Sequence, residues 1–303
     1  MKKKVKKNKK YIIIALVISV IIFLALMTCI INTEVGDKIA VIPVKGMITL
    51  NGGNSLLQTT TSGNEISEKI KEANEDPQIK AIVLEINSPG GTVQGSKVVA
   101  DTLKQVEKPV VSVITESGTS GAYWIASQTD LIVADELSYV GSISVLGSYL
   151  EFSGLMDDFN VTYRRLITGE YKDLGTPLKE MTPEEEALIM ERLNTVHEYF
   201  VNEVAQGRGM TNEEVSELAN GLFYFGMQAK TLGLIDELGT KEDAINFAKQ
   251  LAEIEDGTIK EYEEKESFFD AISKYTTYSS FYIGQGIGSV LVSQDSSDME
   301  INV

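Results

Sequence analysis

Four short apolar runs constrain what this chain of 303 residues can become more than any other feature of it. Ile39–Val44 (IAVIPV), Ile79–Ile86 (IKAIVLEI), Val110–Ile114 (VVSVI) and Leu131–Ala134 (LIVA) are rich in β-branched residues and of strand length, so they predict buried strands. Helical patterns lie between them: Glu65–Ala73 with Asn64 as its cap, Val93–Val106 stopped before Pro109, and a third helix that opens at Ser120. Strands alternating with helices predict an α/β fold, a mainly parallel sheet with flanking helices. Chemistry in such sheets gathers in loops at the carboxyl ends of the strands. Both Ser88–Gly91 and the turn at Ser120 fall there.

The stretch Thr115–Asp130 (TESGTSGAYWIASQTD) joins a buried strand to a helix through Gly118, Thr119, Ser120 and Gly121. Small neighbours leave Ser120 uncrowded at a helix N-terminus, where unpaired N–H groups and the helix dipole favour negative charge. A nucleophile would suit that position, and so would a plain capping serine, since Ser is a preferred N-cap. The pattern alone leaves both open. The loop Asn87–Gly91 (NSPGG) sits at the end of the neighbouring strand, and its paired glycines let backbone N–H groups approach a ligand closely. Gly91 and Gly121 are therefore candidates for donors to an oxyanion. Gly90 and Gly95 have Walker-A spacing, but Ser96–Lys97 reverses the order that a phosphate loop needs.

Charge is distributed unevenly. Seven lysines crowd the first ten residues (MKKKVKKNKK), which leaves 20 basic residues against 44 acidic ones downstream, the first of them Glu34. An acidic body of this kind offers no footprint for nucleic acid. Tyr11–Ile31 carries no charge over 21 residues, enough for a helix to cross the roughly 30 Å of a bilayer core. The expected organisation is a cytoplasmic basic segment at 1–10, a single transmembrane helix at 11–31, an extracytoplasmic domain at 32–274 and a tail at 275–303, with lysines setting the orientation. Cys29 is the only cysteine, so neither an intramolecular disulfide nor a cysteine-based metal site is available. No cofactor is expected.

A serine nucleophile needs a base. His197 is the only histidine, and it lies in a long helix that opens with a capping box, Thr182, Pro183 and Glu185. A lone helical histidine of this kind is more often a boundary residue than a base. Lys172, in Gly169–Pro177 (GEYKDLGTP), is the other candidate. At its reference pKa a lysine is neutral at pH 7 in about one molecule in 2,500, so a catalytic lysine has to be buried in a dry cleft. Spacing does not decide between a surface lysine and a base.

The ordered set NSPGG (87–91), SGAYWIAS (120–127), VGSISV (140–145), GEYKDLGTP (169–177) and GLFYFGMQAKTLGLIDELG (221–239) resembles the bacterial signal peptide peptidase A family of serine proteases, in its short membrane-anchored form. The resemblance covers roughly residues 38 to 250. It implies a Clp protease/crotonase-like fold, a Ser-Lys dyad of Ser120 and Lys172, an oxyanion hole from Gly91 and Gly121, and Ser142 as the residue that orients the lysine. It further implies signal peptides and other apolar peptides as substrates at the outer face of the membrane, and a homo-oligomeric ring or dome in which neighbouring subunits share the dyad. Ala122, Trp124 and Ser144 depart from the residues common in the family, which bears on the pocket walls. An inactive membrane scaffold on the same fold and a crotonase-like binder of acyl thioesters are the competing functions.

Overall fold

A computed structural model describes residues 16, 18–21, 36–54 and 59–262. In chain order the elements are β1 (Lys38–Lys45), β2 (Met47–Thr49), β3 (Gly53–Asn54), β4 (Thr59–Ser62), α1 (Gly63–Glu75), β5 (Ile79–Ser88), α2 (Val93–Leu103), β6 (Val110–Thr119), α3 (Gly121–Ala126), β7 (Leu131–Ala134) and β8 (Tyr139–Gly141). They continue with α4 (Ser153–Asp158), α5 (Pro183–Arg208), α6 (Asn212–Leu218), β9 (Phe223–Phe225), α7 (Gly226–Thr231), β10 (Glu237–Leu238), α8 (Lys241–Leu251) and β11 (Thr258–Glu261). The main sheet runs β10-β7-β6-β5-β1-β11, with β8 joined to β6 and β9 to β8. Every pairing in it is parallel except β8 with β9, so the sheet is mainly parallel, as the alternating pattern predicts.

The apolar runs do not alternate with polar residues because both faces of the sheet are covered. Successive side chains point to opposite faces. Ile39, Val41, Val83, Val111 and Val113 meet Ala244, Ile245 and Ala248 of α8 on one side. Ala40, Ile42, Leu84, Ile86 and Ile114 meet residues of α1, α2, α3 and α5 on the other. This second and larger layer is the one that carries the serine turn.

Several boundaries differ from expectation. Ser62, not Asn64, caps α1, accepting from Glu65 N at 3.2 Å, while the Asn64 amide bonds Asn51 at 2.9 Å. Helix α2 ends at Leu103. Strand β6 does not stop at Ile114 but continues to Thr119, because β8 and Ser88 of β5 pair with its last residues.

Among the described residues, no helix is long and apolar enough to cross a membrane. The anchor expected at 11–31 lies outside them apart from Leu16 and residues 18–21, which are helical, with Leu16, Ile18, Val20 and Ile21 exposed. The basic segment 1–10 and the tail from 275 lie wholly outside the described residues. One described segment has no core of its own: from Val145 to Glu184 no residue is buried. Leu146, Leu150, Phe159 and Leu166 are between 72% and 95% exposed in this arm.

Candidate active site

Strand β6 delivers Ser120 to the carboxyl edge of the sheet, where Ser120 N donates to Gly141 O at 2.7 Å. The residue sits at φ 52°, ψ −127°, a left-handed conformation that side chains rarely adopt. It is the N-cap of α3, yet its hydroxyl makes no capping bond. The reading of Ser120 as a plain cap is therefore corrected. The bend turns the hydroxyl off the helix end, and the residue lines a cleft.

The glycine loop meets this turn from β5. Ser88 Oγ accepts from Gly90 N at 3.1 Å and donates to Gly46 O at 2.6 Å, which fixes the start of the loop. Gly90 has φ 94°, and a Cβ there would stand 2.7 Å from Gly121 N and 2.9 Å from Ser120 Cβ. Gly91 forms a parallel bridge with Ile48 of β2, in which Ile48 N donates to Gly90 O and Thr92 N donates to Ile48 O, both at 2.8 Å. In parallel pairing the flanking groups face the partner strand, so the N–H of Gly91 itself points the other way. It lies 3.4 Å from where a Cβ on Gly121 would be. Among the described residues neither the Gly91 nor the Gly121 N–H donates to any acceptor. Two unengaged donors beside a serine hydroxyl are what a developing oxyanion requires.

These groups form the polar end of a cleft of about 470 Å³. Its walls are largely apolar, from Met47, Val93, Trp124, Leu146, Val196 and Phe200. Trp124 is fixed on both of its aspects: its ring stacks on Phe200 with centroids 5.2 Å apart, and its Nε1 donates to the Glu203 carboxylate at 3.2 Å. Glu203 is buried, and Lys104 Nζ donates to the same oxygen at 2.5 Å, so the charge is paired. The adjacent Tyr123 is wholly buried with its hydroxyl donating to Leu234 O at 2.8 Å, and burial pushes its phenol well above the ordinary range.

Of the residues singled out from the sequence, Gly91, Ser120 and Gly121 meet in one place. Ser142 is close by, since it follows Gly141, the residue that accepts the Ser120 N–H. Its hydroxyl donates to Gly221 O at 3.0 Å, which leaves its lone pairs for another donor. Lys172 is not part of this cleft. It lies exposed on a turn of the arm, its N–H bonded to Gly169 O at 3.1 Å. His197 does not line the cleft either, although Val196 and Phe200 on the same helix do, and its buried Nδ1 has no partner among the described residues.

Ser96 entered the sequence reading only through the reversed phosphate-loop order, not as a residue of the site. It is wholly buried in α2 and lines the cleft, its Oγ has no partner among the described residues, and that oxygen lies 2.1 Å from where a Cβ on Gly121 would stand. The signal was the small pair Gly95–Ser96, which marks a close crossing of α2 over its neighbours: a Cβ at Gly95 would lie 2.7 Å from Thr49 C. Among the described residues, no three of His, Cys, Asp and Glu gather so as to hold a metal ion.

The model of peptidase family S49 matches residues 102–255, and that of Clp protease matches residues 46–130. Both spans include Ser120. The chain belongs to peptidase family S49. This S49 chain is 36% identical over 226 residues to a protein of Methanocaldococcus jannaschii named as a protease, covering 73% of the chain and 71% of that relative. It is 34% identical over 236 residues to an Enterococcus faecium protein named as the signal peptide peptidase SppA, covering 77% and 69%. Protease 4 of Salmonella typhi is 30% identical over 249 residues, which are 81% of the chain but 40% of that longer protein. The S49 chain is thus a serine protease of the SppA family with a Clp protease-like α/β domain, as its motifs implied.

Proposed function

We propose that this protein is a membrane-anchored endopeptidase that cleaves apolar peptides, released signal peptides among them, with a Ser-Lys dyad of Ser120 and Lys172. The observation that carries the reading is the uncapped Ser120 hydroxyl beside the two unengaged N–H groups of Gly91 and Gly121. Neutral Lys172 takes the proton from Ser120 Oγ, which attacks the scissile carbonyl. Gly91 and Gly121 donate to the oxyanion, and the lysine returns the proton to the departing amine. Water then repeats the sequence on the acyl-enzyme. Ser142 accepts from the lysine while donating to Gly221 O, which orients the amine.

Lys172 reaches the cleft from a neighbouring copy in this reading. Its exposed turn, and an arm with large apolar side chains and no buried residue, support a surface that a second subunit covers. Burial between copies also supplies the dry surroundings that a lysine base needs. The ring or dome, the shared dyad, the division at 1–10, 11–31, 32–274 and 275–303, the cytoplasmic N-terminus and the extracytoplasmic catalytic domain all belong to this proposal. So does the exclusion of nucleic acid and of any cofactor.

One observation favours a second reading. Because Lys172 does not line the cleft of its own chain, an idle scaffold on the same fold would look alike. Full-length protein in detergent micelles, one aliquot treated with a fluorophosphonate and a second, untreated one given a synthetic signal peptide, separates the two. Labelling at Ser120 with peptide fragments found by mass supports the peptidase. An assembled sample that neither labels nor cleaves supports the scaffold.

A further inference from the structure

The turn that presents Lys172 is held by a single guanidinium. Arg165 Nε and Nη2 donate to the two carboxylate oxygens of Asp173 at 2.6 and 2.7 Å, and Nη2 also donates to Glu170 O at 2.7 Å. These acceptors bracket Lys172, one residue after it and two before. Its other neighbour is tied as well, since Tyr171 Oη donates to Glu184 at 2.8 Å. The lysine side chain projects from the turn unengaged by the described residues.

An exposed ion pair contributes little to stability, and this arm has no buried residue for the clamp to reinforce. Acidic groups crowd this end of the arm: Asp173 and Glu185 act on Arg165, as does Tyr163, while Glu170, Glu184 and Glu185 act on Tyr171. Lys179 is committed to Glu185, and Glu184 accepts the Tyr171 phenol. Arg165 is therefore the cation that offsets Asp173, whose carboxyl it holds below the ordinary range.

We propose that Arg165 is a positioning residue for Lys172: it fixes the turn from which the lysine projects and offsets the Asp173 charge that would otherwise keep the amine protonated. The inference rests on the reading of Lys172 as the general base. A forked guanidinium suits the turn because its planar group takes both oxygens of one carboxylate and a carbonyl at fixed angles, whereas the donors of an ammonium radiate from a single atom.

The test is the pH dependence of kcat/KM for a fluorogenic apolar peptide, measured on the assembled full-length enzyme. Arg165→Ala moves the midpoint of the rise with pH by about one unit to the alkaline side, the usual size for loss of a nearby charge, with activity regained at high pH. The double variant Arg165→Ala/Asp173→Asn returns the midpoint to near that of the parent, since neither charge remains. Arg165→Lys keeps the midpoint but lowers the plateau, because charge survives and the fork does not. An unshifted midpoint in Arg165→Ala, whether activity is kept or falls equally at every pH, overturns the inference. Lys172→Ala separates the two levels. If it is inactive while Arg165→Ala is unshifted, only the role of Arg165 fails; if it keeps the parent profile, the base reading fails and takes this inference with it.

Discussion

Substituting Gly121 by Ala tests the proposed oxyanion site at its tightest point. The added Cβ would stand 2.1 Å from Ser96 Oγ and 2.9 Å from Ser96 Cβ, whereas ordinary contact begins near 3.4 Å. Something must move by about 1.3 Å, the difference between those two distances, and rotating the Ser96 hydroxyl away still leaves its Cβ at 2.9 Å. Relief comes from displacing the Gly121 backbone, whose N–H is one of the two donors. Losing one such donor lowers kcat by about 10²–10³, equivalent to roughly 3–4 kcal/mol of transition-state stabilisation. Overpacking adds about 1–3 kcal/mol of destabilisation, a fall in Tm of several degrees. Steady-state cleavage of a fluorogenic peptide gives kcat and KM, and a circular dichroism melt gives Tm. KM should change little. Adding Ser96→Gly to Gly121→Ala opens the space and should restore both Tm and much of kcat. A Gly121→Ala enzyme with kcat near that of the parent would refute the role of this N–H. A double variant that recovers Tm but not kcat would show that steric displacement is not the cause.

Three further outcomes follow from the same geometry. Lys172→Ala and Lys172→Arg should fold yet lose nearly all turnover, because an arginine keeps its proton at any useful pH, while His197→Ala stays active; peptide cleavage beside a folding assay checks both. Mixing Ser120→Ala and Lys172→Ala proteins, with dissociation and reassembly, should restore about a quarter of parental sites if copies share the dyad, and mixed oligomers at background would rule sharing out. Ser96→Ala should raise stability by about 1 kcal/mol, because it removes a buried hydroxyl that lacks a partner, and a lowered Tm would mean that the oxygen is bonded after all.

The sheet was legible because its four central strands are buried on both faces, where apolar and largely β-branched residues dominate the sequence. The edges were not. Phe223–Phe225, Glu237–Leu238 and Thr258–Glu261 are too short to carry a period, and they become strands through partners as distant as Val140, Val133 and Ile39. The extension of β6 to Thr119 was hidden likewise, since Glu116, Ser117 and Gly118 look like a loop until Tyr139 pairs with Ser117, and Ser88 and Val140 with Gly118. The site divides along the same line. Ser120 and the glycines are visible as local patterns, since bend and donors come from the backbone of a few residues. Ser96 and Glu203 act through side chains that meet Gly121 and Trp124 only after α2 and α5 have packed, and no spacing announces such contacts.

The arm without a core has a consequence in mass action. A hydrolase whose proton acceptor projects from a surface, away from the nucleophile of the same polypeptide, is silent when dilute on the proposed reading. Its specific activity then depends on how many copies have met, rising steeply with concentration and vanishing on dilution below the dissociation constant. Confinement to a bilayer would raise the effective concentration without any change in affinity. Newly made chains would reach their destination harmless, and the exposed leucines and aromatics between Val145 and Glu184 would serve as the latch that assembly closes.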